Sequence, residues 1–421
     1  MRGTAHRPTV LIMKTFSVRR LLAVPFAVLL TTTALVALDT GPAQAAYSDP
    51  LVATGTSKMG LTYSAVNASY LSGLDTALPN VGVATVLDSN NHPMVSCNSE
   101  ELAALPPDTV LSDIWCFDEG DATTLAWSPQ GLTSSGDADN DGSWGAKRAI
   151  LSGWVYDADD SRHNEARIAF IDYTNPASPV YRWVYLVTPT SATNFKASHA
   201  HIGGMVWYGD KLIVTAVGNT GTALLVYSMA KIWQMNSGAS AIGLQSDGKY
   251  AAYGYQYVMP QIGSYAYTSG TCSMASATAI PCFSSISLDR TTVPDSLVTS
   301  EYFSDSALHG RLIRYPMGSD YRPANSATPS EAYVTQVGNQ QGVLSHSGSW
   351  YVVHSSASAH GQLWRFTGSA TGAGRTWSLH PEALTYWWDT NSVWAVTEWS
   401  RDEPTGPGGR VLFRTAIGDL S

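Results

Sequence analysis

The sequence predicts an all-β protein folded as a β-propeller, most simply one of five blades. Three observations carry that expectation. A hairpin-plus-strand unit recurs five times, apolar residues alternate with small or polar ones inside each unit, and the composition is that of a strand-rich chain. Only 14% of residues are charged, while Gly, Ser, Thr, Trp and Tyr are abundant.

Each copy opens with a polar residue followed closely by Gly or another small residue. A strand, a turn and a second strand rich in Val and aromatics come next, and a third strand ends the unit. The first copy opens at Gln130-Gly131 and continues through 148–155 and 166–171. The second opens at His201 and runs through 205–208, the turn Gly209-Asp210, 211–214 and 223–227. The third is read from Gln261-Ile262-Gly263, with 283–288 and 310–315 as its later strands. The fourth opens at Gln341-Gly342 and the fifth at Pro381-Glu382-Ala383. The copies start roughly 40–80 residues apart, against ~40–50 residues for known propeller blades, so insertions are expected in the longer intervals. A single blade leaves both faces open and is stable only in a closed ring. Residues 46–121 lack the motif. They are expected to supply an outer strand that closes the ring and a short helix over 68–78. Six or seven blades stay open if that segment hides a degenerate copy, and a β-sandwich with coincidental spacing is the competing architecture.

Inner propeller strands line the axis. The five opening residues Gln130, His201, Gln261, Gln341 and Glu382 are therefore expected to converge at one channel mouth, with the small residues letting neighbouring backbones approach. Amides, an imidazole and a carboxylate suit hydrogen bonding either to a hydroxyl-bearing ligand or to water in a satisfied channel.

The run Asp137-Ala138-Asp139-Asn140-Asp141-Gly142 matches the opening of a calcium loop. Its twelfth position is Arg148 rather than Glu and its flanks are strand-like, which excludes an EF-hand. A hairpin Ca²⁺ site on Asp137, Asp139 and Asp141, or an acidic solvated turn, remains. No other cofactor is indicated. His199 and His201 have the i, i+2 spacing of one strand face and, with a Glu or Asp from another blade, would suit metal binding or acid–base work, and His346, His354, His360 and His380 fall in the last two copies; structural roles are the default for all of them. Trp387, Trp388 and Trp399 lie beside turns, where exposed rings can stack on sugars, or else they pack in the core. No G-x-S-x-G elbow occurs. A carboxylate pair for glycoside hydrolysis, drawn from Glu382, Glu398, Asp121 and Glu119, stays open because such pairs meet only in space.

Arg2, Arg7, Lys14, Arg19 and Arg20 precede an apolar run over 21–38 that ends at Ala43-Gln44-Ala45. That is the form of a cleaved export signal over 1–45, with Met13 an alternative start and the export route open. A single domain over 46–421 would follow. Losing five basic residues and Asp39 moves the formal charge from −9 to −13. So acidic a chain argues against nucleic acid and anionic membranes as partners. After the signal, no segment is apolar and long enough to insert in a membrane. Four cysteines in an exported protein imply disulfides, with local pairing Cys97–Cys116 and Cys272–Cys282 favoured among three pairings.

Residues 201–214 (H-x-G-G-M-V-W-Y-G-D-K-L-I-V), 341–353 and 381–399 resemble a pattern of exported actinobacterial propeller proteins, over about 128–413. Some of that group resemble the lectin-like propeller subunits of umbrella toxin particles, secreted assemblies used between competing bacteria. The resemblance implies a targeting lectin for a cell-surface glycan, without toxin activity of its own, held with an adaptor and a scaffold chain. It assigns no individual binding residue. An extracellular glycoside hydrolase or a metal-assisted lactonase-like hydrolase on the same ring is the rival, and a purely protein-binding hub a third expectation.

Overall fold

Antiparallel hairpins account for most of the chain, as the alternation requires. The computed structural model describes residues 47–158, 161–218, 221–276, 278–303 and 310–420, and these belong to one compact unit. The expected export signal lies outside the described residues.

Among the described residues most of the longer strands fall into five antiparallel runs of four, with shorter strands such as Asn194–Ala197 and Leu61–Ala65 paired at their outer members. The first is Trp127–Ser134, Ala149–Tyr156, Ala166–Asp172 and Val180–Ser191. The second is Met205–Tyr208, Lys211–Thr215, Thr222–Ser228 and Tyr257–Tyr267. The third is Phe283–Asp289, Ser296–Glu301, Arg311–Pro316 and Glu331–Val334, with Val52–Ala53 added at its edge. The fourth is Gln340–His346, Ser349–His354, His360–Thr367 and Ala373–Leu379. The fifth is Pro381–Trp387, Ser392–Thr397, Val411–Ala416 and Ile114–Cys116. Its outermost strand thus comes from far upstream in the chain, and Cys116 ties that strand to Cys97. The helix Ala68–Ala77 begins at Asn67, whose side chain accepts from Ser69 N at 2.9 Å.

The first strands of successive runs touch one after another and close a ring. Thr133 Oγ1 accepts from Trp207 N at 2.9 Å. Ser284 Oγ donates to Gln340 O at 3.1 Å. Thr385 and Thr133 both donate to Asp137 Oδ2 at 2.9 Å, joining the last run to the first. Starts meet starts and ends meet ends, so the first strands run side by side in one direction, as in a propeller.

Glycine makes this contact short enough. A Cβ on Gly131 would sit 2.5 Å from Ile202 O, one on Gly204 2.1 Å from Ile286 N, and one on Gly342 2.7 Å from Glu382 O. Buried indoles fill the wider spaces between sheets, among them Trp154, Trp207, Trp377 and Trp394. At the Ser347-Gly348 hairpin both residues have positive φ, +49° and +76°, the geometry whose twist matches a two-residue strand reversal.

The third run begins later than the sequence spacing predicts, at Phe283–Asp289. Tyr257–Tyr267, which carries Gln261, is the outer strand of the second run, not the inner strand of the third. Residues 229–256 intervene before the second run's fourth strand and place it where a new copy was expected. Gln261 therefore faces away from the axis, with Oε1 accepting from Thr188 Oγ1 at 2.9 Å and Nε2 donating to Gly263 O at 3.1 Å. The same strand also pairs in parallel with the first run, Tyr257 opposite Val184.

Since the atom nearest a Gly204 side chain would be backbone, the clash has no rotamer escape. Gly204→Ala is expected to destabilise the fold by about 2–4 kcal/mol. Urea unfolding checks this; a midpoint equal to wild type would show that the first strands do not pack at this spacing.

Candidate functional site

The ring brings distant residues to the ends of the first strands. At the starting end lies a cavity of about 350 Å³, within the roughly 300–1,000 Å³ usual for small-molecule sites. Gln130, His201, Gln341 and Tyr302 supply its polar groups, with Phe283, Val217, Met274 and the Cys272–Cys282 disulfide as walls. Both expected disulfide pairings are present.

Gln130 sits at the centre of a hydrogen-bonded chain. Its Nε2 donates to Glu398 Oε1 at 2.8 Å, and its Oε1 lies 2.8 Å from His201 Nε2. The far ring nitrogen, Nδ1, is 3.2 Å from Asn164 Oδ1. Asn164 itself has φ +63°, a left-handed conformation that Asn tolerates better than most residues. Burial holds the His201 pKa below its usual value, so the ring is neutral at pH 7 and donates from one nitrogen.

Two carboxyls stand behind this chain. Glu382 is 1% exposed, and among the described residues neither of its oxygens has a hydrogen-bond partner. Burial, and then the neighbouring Glu398 charge, push its pKa well above the ordinary range. Burial likewise raises Glu398 to about 7, against the opposing pull of Arg410 and the Gln130 bond. Arg410 Nε donates to Glu398 O at 2.9 Å and Nη1 to Asp121 O and Thr124 O at 2.7 Å, which fixes the wall behind the carboxyls. The Tyr302 hydroxyl is pushed up by burial and by both glutamates. The mouth thus carries little net charge but many hydrogen-bonding groups, which suits a hydroxyl-rich neutral ligand. Behind it, burial disfavours ionisation of both glutamates, and neither of them lines the cavity.

Of the five expected mouth residues, Gln130, His201 and Gln341 line the cavity, Glu382 lies behind it near Tyr302 and Glu398, and Gln261 is bonded elsewhere. Ser284, on the true third inner strand, takes the vacant place. Tyr302 and Asn164 escaped the sequence reading. Tyr302 follows Ser296–Glu301 and becomes visible only when the third run is registered on the Ser284-Ser285 pair that precedes Ile286. Asp121 is committed elsewhere, to Arg167 at 2.8 Å, Tyr181 at 2.6 Å and Trp183 at 3.1 Å, and Glu119 is bonded to Arg401.

The other expectations divide. Trp387 is 1% exposed and lies in the core with Arg148 over its ring, so it offers no ligand face. Trp399 stacks on His380 at 3.6 Å between ring centroids, and Trp388 lies at the opposite end of the ring. The three indoles therefore form no common platform. Asp137, Asp139 and Asp141 do not bring their carboxylates to one point among the described residues. Asp137 is turned inward with its pKa raised to about 7 by burial, and the guanidinium of Arg290 holds Gly136 O, Asp137 O and the Asn140 side chain. A fixed cation of the protein's own thus faces the acidic loop. His199 bonds His163 O at 3.0 Å while His201 turns to the channel, so the two do not share a ligand; the other four histidines are dispersed, His354 on Gly338 O and His360 on Leu105 O.

No family model matches the chain, and no curated protein matches it. Among solved structures it is similar to the GH43_1 enzyme from Xanthomonas citri complexed with xylotriose, with 9% identity, TM-score 0.33, and 75% of this chain and 93% of that chain covered. It is also similar to hydrazine synthase of Kuenenia stuttgartiensis, with 11% identity, TM-score 0.31, and 65% and 78% covered. Likenesses this distant carry no argument about the chemistry of the mouth.

The buried glutamates give the fold a pH signature. Unfolded, Glu382 titrates near 4.5; folded, it keeps its proton to a higher pH. The native state then binds more protons than the unfolded chain, so stability is full below about 4.5 and falls as pH rises toward the folded pKa. Glu382→Gln should flatten this slope, with its melting temperature gaining on wild type from pH 5 to pH 8. Parallel melting curves across that range would show an ionised, solvated carboxyl.

Proposed function

We propose that the protein is a secreted five-bladed β-propeller of lectin type that binds glycan at the starting end of its channel. The observation that carries this is the cavity of about 350 Å³ where Gln130, His201, Gln341 and Tyr302 converge from separate parts of the chain. Amides and a phenol grip hydroxyls, and the walls of Phe283, Val217 and Met274 accept the C–H face of a sugar ring. The two disulfides support an extracellular setting. The resemblance to umbrella-particle lectins supports a place as targeting subunit of a secreted antibacterial complex, beside an adaptor and a scaffold chain.

A second reading, hydrolysis of a glycosidic bond, is favoured by one observation: Glu398, which ionises near neutrality, adds to the burial that raises the pKa of the neighbouring Glu382.

A glycan array probed with the mature protein tests the lectin reading. Gln341→Ala, which removes one amide from the rim, is expected to weaken the bound glycan about tenfold, on the order of 1–1.5 kcal/mol, with an unchanged melting temperature. Polysaccharide turnover by wild type, abolished in Glu382→Gln, would replace binding by hydrolysis. Pull-down from culture supernatant without a scaffold chain would remove the complex.

A further inference from the structure

The first strands have a second end, and a different cleft opens there. Its volume is about 810 Å³. It is lined by residues at or just beyond the first-strand ends, among them Asp139, Tyr208, Arg290 and Trp388, whereas the mouth described above is lined by residues at the starts. Because those strands run in one direction, the two cavities open at opposite ends of the ring.

Four aromatic residues from separate parts of the chain wall this cleft: Trp144, Tyr208, Tyr321 and Trp388. Tyr321 is 43% exposed and is held in place rather than merely left outside. Its ring lies against Gly209, where a Cβ would come within 2.4 Å, and meets Tyr208 edge-on with centroids 5.3 Å apart. Its backbone has φ +62°, a conformation a tyrosine adopts at a cost, and Gly209 at φ +52° leaves the space for its ring.

Polar groups in the cleft are fixed and nearly balanced in charge. Arg290 bonds the carbonyls of Gly136 and Asp137 and the Asn140 side chain, with Asp295 3.6 Å from its Nε. Asp295 also accepts from Tyr208 OH at 2.5 Å, and Lys211 pairs with Asp210 at 2.5 Å. Arg290 and Lys211 are each matched by a carboxylate and Asp139 adds one more, so the cleft is mildly acidic and does not select an anionic ligand. Aromatic faces beside Asp, Asn and Arg hydrogen-bonding groups fit a neutral saccharide.

We propose that this cleft is a second saccharide site, with Tyr321 and Trp388 as stacking surfaces and Asp139 and Arg290 as hydroxyl partners. The protein is then bivalent, with one site at each end of the channel. The inference stands apart from the mouth reading, since no residue is shared.

The test uses a printed array of neutral oligosaccharides, comprising chitin, β-glucan, xylan, mannan and galactan fragments. It is probed with wild type, Tyr321→Ala, Trp388→Phe and Gln341→Ala, each first shown to melt as wild type does. Tyr321→Ala is expected to lose at least tenfold on a set of spots that Gln341→Ala leaves unchanged. Tyr321 is exposed, so its removal should not unfold the chain; Trp388→Phe keeps a ring and should lose less on the same spots. Retention of every signal by both variants overturns the second site, as does a wild type whose whole signal disappears in Gln341→Ala. Loss in Tyr321→Ala with no effect of Gln341→Ala keeps the second site and discards the mouth.

Discussion

The architecture depends on a contact without side chains: backbone against backbone where neighbouring first strands converge on the axis. Gly131, Gly204 and Gly342 each face a neighbouring strand or connecting segment at a distance that admits no Cβ. That approach draws the strand starts together and puts Gln130 within reach of both His201 and Glu398. A looser ring would separate these residues by more than a hydrogen bond, and the mouth would become a set of unrelated polar groups. Packing at the axis and chemistry at the mouth therefore share one cause.

The same tightness explains the unusual electrostatics. A ring closed this firmly leaves carboxyls such as Glu382 and Asp137 without free access to water, and each keeps a proton more readily than it would in solution. Hydroxyl donors soften the cost at Asp137, where Thr133 and Thr385 both bond one oxygen and the other is left without a partner. Glu382 has no such relief. Buried polar atoms without a partner are uncommon in folded proteins, and among the described residues both oxygens of Glu382 and one of Asp137 are in that state.

Much of this was legible in the sequence because the repeat is physical. A polar residue, a small residue and an alternating hairpin recur since each inner strand meets the same crowding, and four of the five openers were found that way. The fifth failed at Gln261 for an equally physical reason. An outer strand that pairs with both the first and second runs is buried on both faces and alternates as an inner strand does, so periodicity cannot distinguish them. Spacing alone also suggested a metal loop at Asp137, but a guanidinium more than a hundred residues downstream meets the carbonyls of that turn. The indoles separated for a similar reason: adjacent in sequence, Trp387 and Trp388 point to opposite sides of their strand, one into the core and one into a cleft. Short-range pattern finds the strand, and only the closed ring decides what its side chains meet.

The strand Ile114–Cys116 completes a sheet whose other members lie almost three hundred residues later. Cys116 is bonded to Cys97, and the adjoining segment is itself anchored: Ala104 O accepts from Leu379 N at 2.8 Å, and Leu105 O bonds His360 at 3.1 Å. A strand that peels from this edge therefore stays on a short leash. Its local concentration near the vacated edge remains far above that of any other molecule's strand, so re-zipping outruns exchange between copies. The sulfur bridge thereby shortens the excursion open to that strand, at a joint where the ring is assembled from remote parts of the chain.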